Sequence, residues 1–277
     1  MNKFFIILII LFTVLSCTMQ QSLQKSIARE DFDKSLADSV LAYALDHEAL
    51  FTLADTLKPM SSVKFLRYKL AKDSTMKDGD ALITHKDSLL NKIEAYQKVC
   101  NSLSKGDWQF ILVPFERTEK NTRNLEIYVV RKSRFASVLR NNAAFFGQWG
   151  FTESTNPAVV ITAVEYETRL DRNRAYGYLF GYPSYAVDFF VESTKKQEAD
   201  STKKLVPGDF FAMPVYAGNQ GYFTYAMPKG HKPTAVDSTI YYQAKTILDN
   251  YKKIRPNYEN PQGLKATELW IKLNEVK

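Results

Sequence analysis

The sequence contains few of the residues that most often bind metals or act as catalytic nucleophiles. Its 277 residues include three histidines and two cysteines. His47, His85 and His231 fall in separate predicted segments, which argues against a three-histidine metal site. The His-Glu-x-x-His, Gly-x-Ser-x-Gly, phosphate-binding glycine-loop and Cys-x-x-Cys motifs are all absent. We therefore predict no metal and no cofactor, and the sequence alone leaves open whether the protein is an enzyme.

The sequence also lacks an apolar run of the roughly 20 residues that a transmembrane helix needs. Its N-terminal run, Phe4–Leu15, is apolar except for Thr13 and follows the positive charge of Lys3. A charged head before a short apolar stretch is typical of a secretory signal peptide. We therefore predict that residues 1–16 are a signal peptide and that the protein is exported.

The end of this stretch, Val14-Leu15-Ser16-Cys17, resembles the lipobox of bacterial lipoproteins. That motif places an aliphatic residue three positions before the cysteine and a small residue directly before it, although Leu15 is bulkier than the usual middle residue. The Leu-Ser-Cys ending is similar to lipoproteins of the Bacteroidota. The resemblance implies that Cys17 begins the mature chain and carries diacylglycerol and an N-acyl group such as palmitate. Two or three chains anchor stably, because each buried CH₂ contributes roughly 0.8 kcal/mol.

The residues after the lipobox bear on where the lipoprotein resides. The second mature residue is Thr18 rather than Asp. By resemblance to lipoprotein sorting, this implies the outer membrane of the cell envelope rather than retention at the inner membrane. No acidic run follows Cys17, which favours a domain that faces the periplasm. Residues 17–29 are polar and predict a tether between the lipid and the folded domain.

Composition and charge limit the partners of that domain. Hydrophobic residues make up 45% of the chain and charged residues 24%, which is typical of a globular protein rather than a disordered one. The net charge of +7 is spread along the chain. Export excludes nucleic acid as the expected partner, whereas an anionic small molecule or glycan fits a mild positive excess. The oligomeric state is left open.

The periodicity of apolar residues predicts an α+β fold. A helical segment over residues 30–105 precedes an α+β domain over 106–277, whose sheet is mixed and mainly antiparallel with packed helices. Ser193–Lys204 is expected to be a flexible insert. The predicted strands are Trp108–Phe115, Leu125–Val130, Phe210–Tyr216 and Tyr222–Met227. The predicted helices are Glu30–Leu57, Val63–Leu70, Asp80–Leu103, Ser133–Phe146, Asn156–Glu167, Ser184–Glu192, Thr234–Ile254 and a short one from Asn260.

The most distinctive stretch of the chain runs from Arg169 to Ser184. Its first part is densely basic, and its second part combines tyrosines with glycines, which allow sharp turns and close approach. Ser184 is expected to cap a helix whose N-terminal N–H groups attract anions. We predict an anion-binding or glycan-binding site formed by Arg169, Arg172, Arg174, Tyr176, Tyr178, Tyr182 and Ser184. The alternative is a strand-to-helix turn with solvated arginines.

These patterns leave three alternative hypotheses about the function. The leading one is a lipoprotein that binds a ligand or supports an envelope assembly. The second is a periplasmic hydrolase of a glycan or ester, for which His47, Glu48, Asp188 or Cys100 would have to converge in one pocket. Cys100 is otherwise expected to be a buried small hydrophobe, and Asp188 to pair with Arg172 or Arg174. The third is an oligomeric partner protein with an exposed aromatic patch.

Overall fold

A computed structural model describes residues 33–72, 81–200, 202 and 208–275 of the chain. The predicted signal peptide, the predicted lipid attachment at Cys17 and the predicted tether lie outside the described residues. The described part has an α+β fold with antiparallel strand pairs and packed helices, which confirms the predicted fold class.

The main sheet has four strands in the order β2-β1-β4-β3. They are β1 (Met60–Lys72), β2 (Ala81–Ile83), β3 (Trp108–Pro114) and β4 (Thr122–Arg131). Each neighbouring pair is antiparallel. β4 lies between β1 and β3, and its residues from Leu125 to Val130 are all buried. Both faces of β4 are therefore covered, which is why it reads as a nearly continuous apolar run.

Two smaller hairpins accompany the main sheet. β5 (Gly208–Val215) pairs with β6 (Gly218–Pro228), and β7 (Glu259–Asn260) pairs with β8 (Gly263–Leu264). The first confirms the hairpin predicted near residues 210–227. Its second strand begins at Gly218 rather than at Tyr222, and its first ends at Val215 rather than at Tyr216. Gly218 adopts a left-handed conformation with φ of 72° directly after the two-residue connection.

The described helices surround these sheets. They are α1 (Lys34–Asp46), α2 (Leu50–Leu53), α3 (Lys86–Leu103), α4 (Lys132–Asn141), α5 (Ala143–Phe146), α6 (Pro157–Glu165), α7 (Arg169–Leu179), α8 (Ser184–Ala199), α9 (Ala235–Ile254) and α10 (Ala266–Glu275). The helix starts predicted at Asn156 and Thr234 are confirmed, since these residues cap α6 and α9. The Asn156 side chain accepts a hydrogen bond from the Ala158 N–H at 2.9 Å, and Thr234 and Asp237 form a capping box.

One predicted helix is wrong, because residues 63–70 belong to strand β1. The register of β1 against β4 shifts between Ser62 and Lys64, which is the mark of a β-bulge. The bulge adds one residue to the alternation. Val63 and Leu66, both buried, therefore stand three positions apart, as they would on one face of a helix.

Smaller corrections concern the ends of four elements. The helix predicted from Asp80 begins at Lys86, after β2. Residues 193–199 of the expected flexible insert continue α8, since Ser193 and Thr194 are buried there. Ser184 is the first residue of α8 rather than its cap, and the cap position belongs to Pro183. Asn260 begins no helix, because it lies in the β7–β8 hairpin.

The described residues from Lys34 onward group into one unit by their contacts. Within it, α1 buries Val40, Leu41 and Leu45 and packs against α10 and β1. A second apolar cluster joins the β3–β4 side of the sheet to α4, α6 and α7 through residues such as Phe135 and Phe146. No helix among the described residues is long and apolar enough to cross a bilayer.

Candidate functional site

One face of the main sheet presents a carboxyl group and three aromatic or polar side chains in register. Glu126 and Tyr128 lie two residues apart on β4 and so point to the same side. Their partners on β1 are Phe65 and Ser62. Ser62 and Phe65 would point to opposite sides of a regular strand. The bulge between them brings both to the face of Glu126.

Helix α7 covers this face with one stripe of side chains. Arg172, Tyr176 and Phe180 are spaced four residues apart, which aligns them on one side of the helix. Tyr176 stacks on Phe180 with 5.8 Å between ring centroids, and Tyr128 stacks on Tyr176 at 6.2 Å. The three rings of Tyr128, Tyr176 and Phe180 thus form a continuous wall between sheet and helix.

Two glycines set the position of α7. Gly181 adopts φ of 78° and ends the helix in a Schellman motif, in which the Tyr182 N–H donates to the Gly177 carbonyl oxygen at 3.0 Å. A Cβ on Gly177 would lie 2.7 Å from the Val187 side chain of α8. The predicted roles of these glycines in turning and close approach are confirmed. The segment is a helix rather than the expected strand-to-helix turn.

The sheet face and α7 border a cavity of about 420 Å³ that opens to solvent. Its lining joins two buried carboxyl groups, two arginines and aromatic side chains. The lining residues are Ser62, Phe65, Phe115, Arg117, Glu126, Tyr128, Glu165, Arg172, Asn173, Tyr176 and Phe180. Three other cavities of about 470 to 510 Å³ are lined by exposed or half-buried charged groups such as Lys34, Arg134 and Glu153. The buried carboxyl groups make the smaller cavity the candidate functional site.

Glu126 is the unusual group of this cavity. Its side chain is buried with 3% exposure, and its Oε1 atom has no hydrogen-bond partner among the described residues. Burial raises the pKa of Glu126 to about 7, with the negative charges of Glu48 and Glu165 adding to the shift and hydrogen bonds from Tyr128 and Ser62 opposing it. Near neutral pH this carboxyl group therefore exchanges readily between its neutral and charged forms.

Glu165, at the end of α6, is buried but fully partnered. Its Oε2 accepts a hydrogen bond of 2.6 Å from the Tyr176 hydroxyl, and its Oε1 accepts one of 3.3 Å from the Glu116 N–H. Arg172 lies 4.0 Å from Oε1, donates to the Glu165 carbonyl oxygen at 2.9 Å and pairs with Glu116 at 3.3 Å. Burial and the Glu165 charge raise the pKa of Tyr176, which keeps its hydroxyl a donor.

A second buried ion pair lies next to the aromatic wall. Lys58 is fully buried, and its Nζ lies 2.6 Å from Glu48 Oε2 and 5.1 Å from the centre of the Phe180 ring. Glu48 Oε1 accepts a hydrogen bond from the Ser62 N–H at 3.1 Å. Burial lowers the pKa of Lys58, and the charge of Glu48 opposes this shift. The pair links Ser62 and Phe180, from the sheet and helix sides of the cavity.

The structure brings two of the seven residues predicted for anion binding, Arg172 and Tyr176, into the cavity. Arg169 bonds to Gln197 at 2.9 Å instead, and Arg174 pairs with Asp188 at 2.5 Å, as predicted for that aspartate. The remaining three occupy other places. Tyr178 packs edge-on against Phe145, Tyr182 stacks on Phe180 and Phe223, and Ser184 is exposed.

The residues named for a hydrolase each have their own surroundings. His47 stacks on Tyr43 and hydrogen-bonds its carbonyl oxygen, and Glu48 pairs with Lys58. Cys100 is buried, and burial raises the pKa of its thiol to about 12, which suits the predicted small hydrophobe rather than a nucleophile. In the part of the chain that the structure describes, no group of three or more His, Cys, Asp or Glu side chains could hold a metal ion.

Sequence reasoning missed Glu126 and Glu165. A signal for Glu126 was present, since it is the one charged residue in the apolar run Leu125–Val130. A strand buried on both faces places such a carboxyl group out of water. Glu165 gave no comparable signal, because its burial depends on packing against α7, which contains Arg172.

Comparison with known proteins assigns no family to this arrangement. No family model matches the sequence, and neither the curated proteins nor the solved structures give a match.

Proposed function

We propose that this chain is an envelope lipoprotein, anchored through Cys17, whose folded domain binds a small organic ligand in the cavity over Glu126. The main observation in support is that Glu126, which is 3% exposed and lines a cavity of about 420 Å³, has no hydrogen-bond partner at Oε1 among the described residues. A buried acceptor without a partner costs about 1–3 kcal/mol, and a bound donor would recover it.

The aromatic side chains support binding rather than structural filling alone. Phe65 lines the cavity yet keeps 46% of its surface exposed, and it meets Phe115 edge-on at 5.7 Å. Exposed aromatic rings beside a buried polar group are the usual composition of a ligand site, with apolar walls and a few polar groups that orient the ligand.

A thermal-shift screen of the purified full chain against small organic cations, anions and neutral sugars tests the binding function. We expect at least one class to raise the melting temperature, and Phe65→Ala to remove the effect. Phe210→Ala is the matched control, because Phe210 is 73% exposed and lies outside the cavity lining. A shift that both variants retain, or no shift with any class, contradicts the proposal.

The anchoring half of the proposal has its own test. Cys17→Ala should move the protein from the membrane fraction to the soluble fraction, because the acyl chains supply the attachment. Mass spectrometry of the mature N-terminus should show a lipid-modified Cys17. Membrane association that survives the substitution contradicts the anchor but leaves the binding site untouched. Orientation toward the periplasm from the outer membrane belongs to the same proposal and rests on Thr18.

A glycan hydrolase is the second candidate, and one observation favours it. Glu126 and Glu165 line the same cavity, and paired carboxyl groups carry out acid–base chemistry on glycosidic bonds. Turnover of chromogenic glycosides that Glu126→Gln and Glu165→Gln each abolish would favour this candidate over simple binding. Reversible binding without turnover would reject it.

A further inference from the structure

The arginines around the cavity are engaged by other groups. Arg172 pairs with Glu116 and approaches Glu165, and the exposed Arg117 lies 3.4 Å from Glu116. Arg123 donates to the carbonyl oxygens of Phe115 and Glu116. The Lys58–Glu48 pair beside the cavity is neutral as a unit. Of the described carboxyl groups that line the cavity, Glu126 is the one without an ion-pair partner.

The aromatic side chains around Glu126 favour a positive group. Tyr128, Tyr176 and Phe180 line the cavity together with Phe65 and Phe115. The faces of such rings attract cations, and the attraction strengthens when water is excluded. Two cations already lie near these rings: Arg67 is 5.8 Å from the centre of the Phe65 ring, and Lys58 Nζ is 5.1 Å from the centre of the Phe180 ring. Rings and carboxyl group thus favour the same sign of charge.

The unpartnered oxygen narrows the choice among cations. Oε1 of Glu126 accepts no hydrogen bond from the described residues. A primary ammonium or a guanidinium donates N–H bonds to a carboxylate, whereas a quaternary ammonium has no N–H to give. A cavity of about 420 Å³ also has room for an apolar body attached to that group.

From this geometry we infer that the cavity binds an organic monocation, a primary ammonium or guanidinium on an apolar body, with Glu126 as its counter-ion. This inference rests on the proposed function and names its ligand class. It differs from the anionic ligand predicted from the sequence, because the arginines counted for that site are held by Glu116, Glu165, Asp188 and Glu198. Because the pKa of Glu126 is raised to about 7, binding of a cation should release a proton from this group near neutral pH.

Calorimetric titration of the full chain with 2-phenylethylammonium tests the inference. The matched probes are the neutral isostere 2-phenylethanol, the quaternary analogue phenethyltrimethylammonium and the anion 3-phenylpropionate. We expect the primary ammonium to bind at least tenfold more tightly than each of the other three. Its affinity should rise about tenfold from pH 6 to pH 8 as Glu126 ionises, with release of about half a proton at pH 7.

Two variants decide the role of Glu126. Glu126→Gln keeps the size of the side chain and should reduce ammonium affinity at least tenfold while leaving the weak binding of 2-phenylethanol unchanged. Glu94→Gln, on the exposed face of α3, is the control and should leave both affinities unchanged. Equal binding of the alcohol, preference for the anion, or ammonium binding that Glu126→Gln retains overturns the inference.

These outcomes separate the ligand class from the function itself. If the anion or a neutral sugar binds and Phe65→Ala abolishes that binding, the cavity is a ligand site and the monocation inference is wrong. If no probe of any class binds and the signals of the cavity residues stay unshifted in a nuclear magnetic resonance titration, both the inference and the proposed function fail.

Discussion

Two buried carboxyl groups of this protein, Asp237 and Glu126, experience opposite environments. Asp237 caps α9 and accepts hydrogen bonds from the Tyr185 hydroxyl at 2.6 Å, the Tyr225 hydroxyl at 2.5 Å and the Thr234 N–H at 2.6 Å. Burial alone would raise the pKa of Asp237, but these hydrogen bonds outweigh it and lower the pKa. Glu126 is equally buried, lacks a partner at Oε1 and has its pKa raised to about 7.

The difference separates a structural carboxyl group from a candidate functional one. Asp237 caps α9 through Thr234, and the hydrogen bonds from Tyr225 and Tyr185 join α9 to the β5–β6 hairpin and to α8, so its charge stabilises the fold. Glu126 costs stability when it is charged, because the effect of its burial outweighs its hydrogen bonds with Tyr128 and Ser62. Residues of a ligand-binding site often lower the stability of the folded protein, and Glu126 fits this pattern.

The largest effect is expected at Asp237. Asp237→Ala removes the capping box and leaves the hydroxyls of Tyr185 and Tyr225 without their acceptor, which should lower the free energy of unfolding by about 3 kcal/mol in urea denaturation. Asp249→Ala, at an exposed position of the same helix, should change it by less than about 0.5 kcal/mol. If the two variants lost similar amounts of the free energy of unfolding, the structural role of Asp237 would be contradicted.

Glu126→Gln is expected to act in the opposite direction. At pH 8 the amide avoids the cost of a buried negative charge, so the variant should be more stable than the natural protein by about 1–2 kcal/mol. At pH 4.5 the carboxyl group is neutral and the difference should nearly vanish. A variant that is clearly less stable at pH 8 would show that the Glu126 charge is compensated in the fold.

The stability of the natural protein should follow the titration of Glu126. Its folded pKa of about 7 exceeds the ordinary value of 4.5, so this group's contribution is fully present below 4.5 and is lost as the pH rises to 7. The loss has an upper limit of about 3 kcal/mol and levels off above pH 7. Subtracting the curve of Glu126→Gln isolates the contribution, and a flat difference would contradict the raised pKa.

The smallest effect is expected at Arg174. Its partner Asp188 is 57% exposed, and ion pairs in water contribute little. Arg174→Gln should therefore change the free energy of unfolding by less than about 0.5 kcal/mol and leave ligand binding unchanged. A large loss of ligand binding would instead favour the arginine-based anion site that was predicted from the sequence.

The fold was predictable where one local signal was sufficient. The helix starts at Thr234 and at Asn156-Pro157 each depend on a few adjacent residues, and the structure confirms both. Strand β1 was missed because its bulge imitates helical spacing near Val63. Local pattern cannot distinguish the two, since the bulge exists only through pairing with β4.

The candidate site was less predictable for the same reason. Arg172 and Tyr176 were singled out from composition, and both line the cavity. Their partners Glu116 and Glu165 come from other elements, so their neutralising effect depends on tertiary packing. Glu126 stood out in the sequence as a charge within an apolar strand, but its unpartnered oxygen is a property of the packed sheet and α7.

A direct measurement of the Glu126 carboxyl group tests the central claim most closely. Carbon-13 nuclear magnetic resonance of the full chain, with the resonance assigned through Glu126→Gln, follows its ionisation from pH 3 to pH 9. We expect a midpoint near pH 7 that moves downward when 2-phenylethylammonium is bound. A midpoint near 4.5 that the ligand leaves unchanged would show an ordinary, solvated carboxyl group and contradict the account.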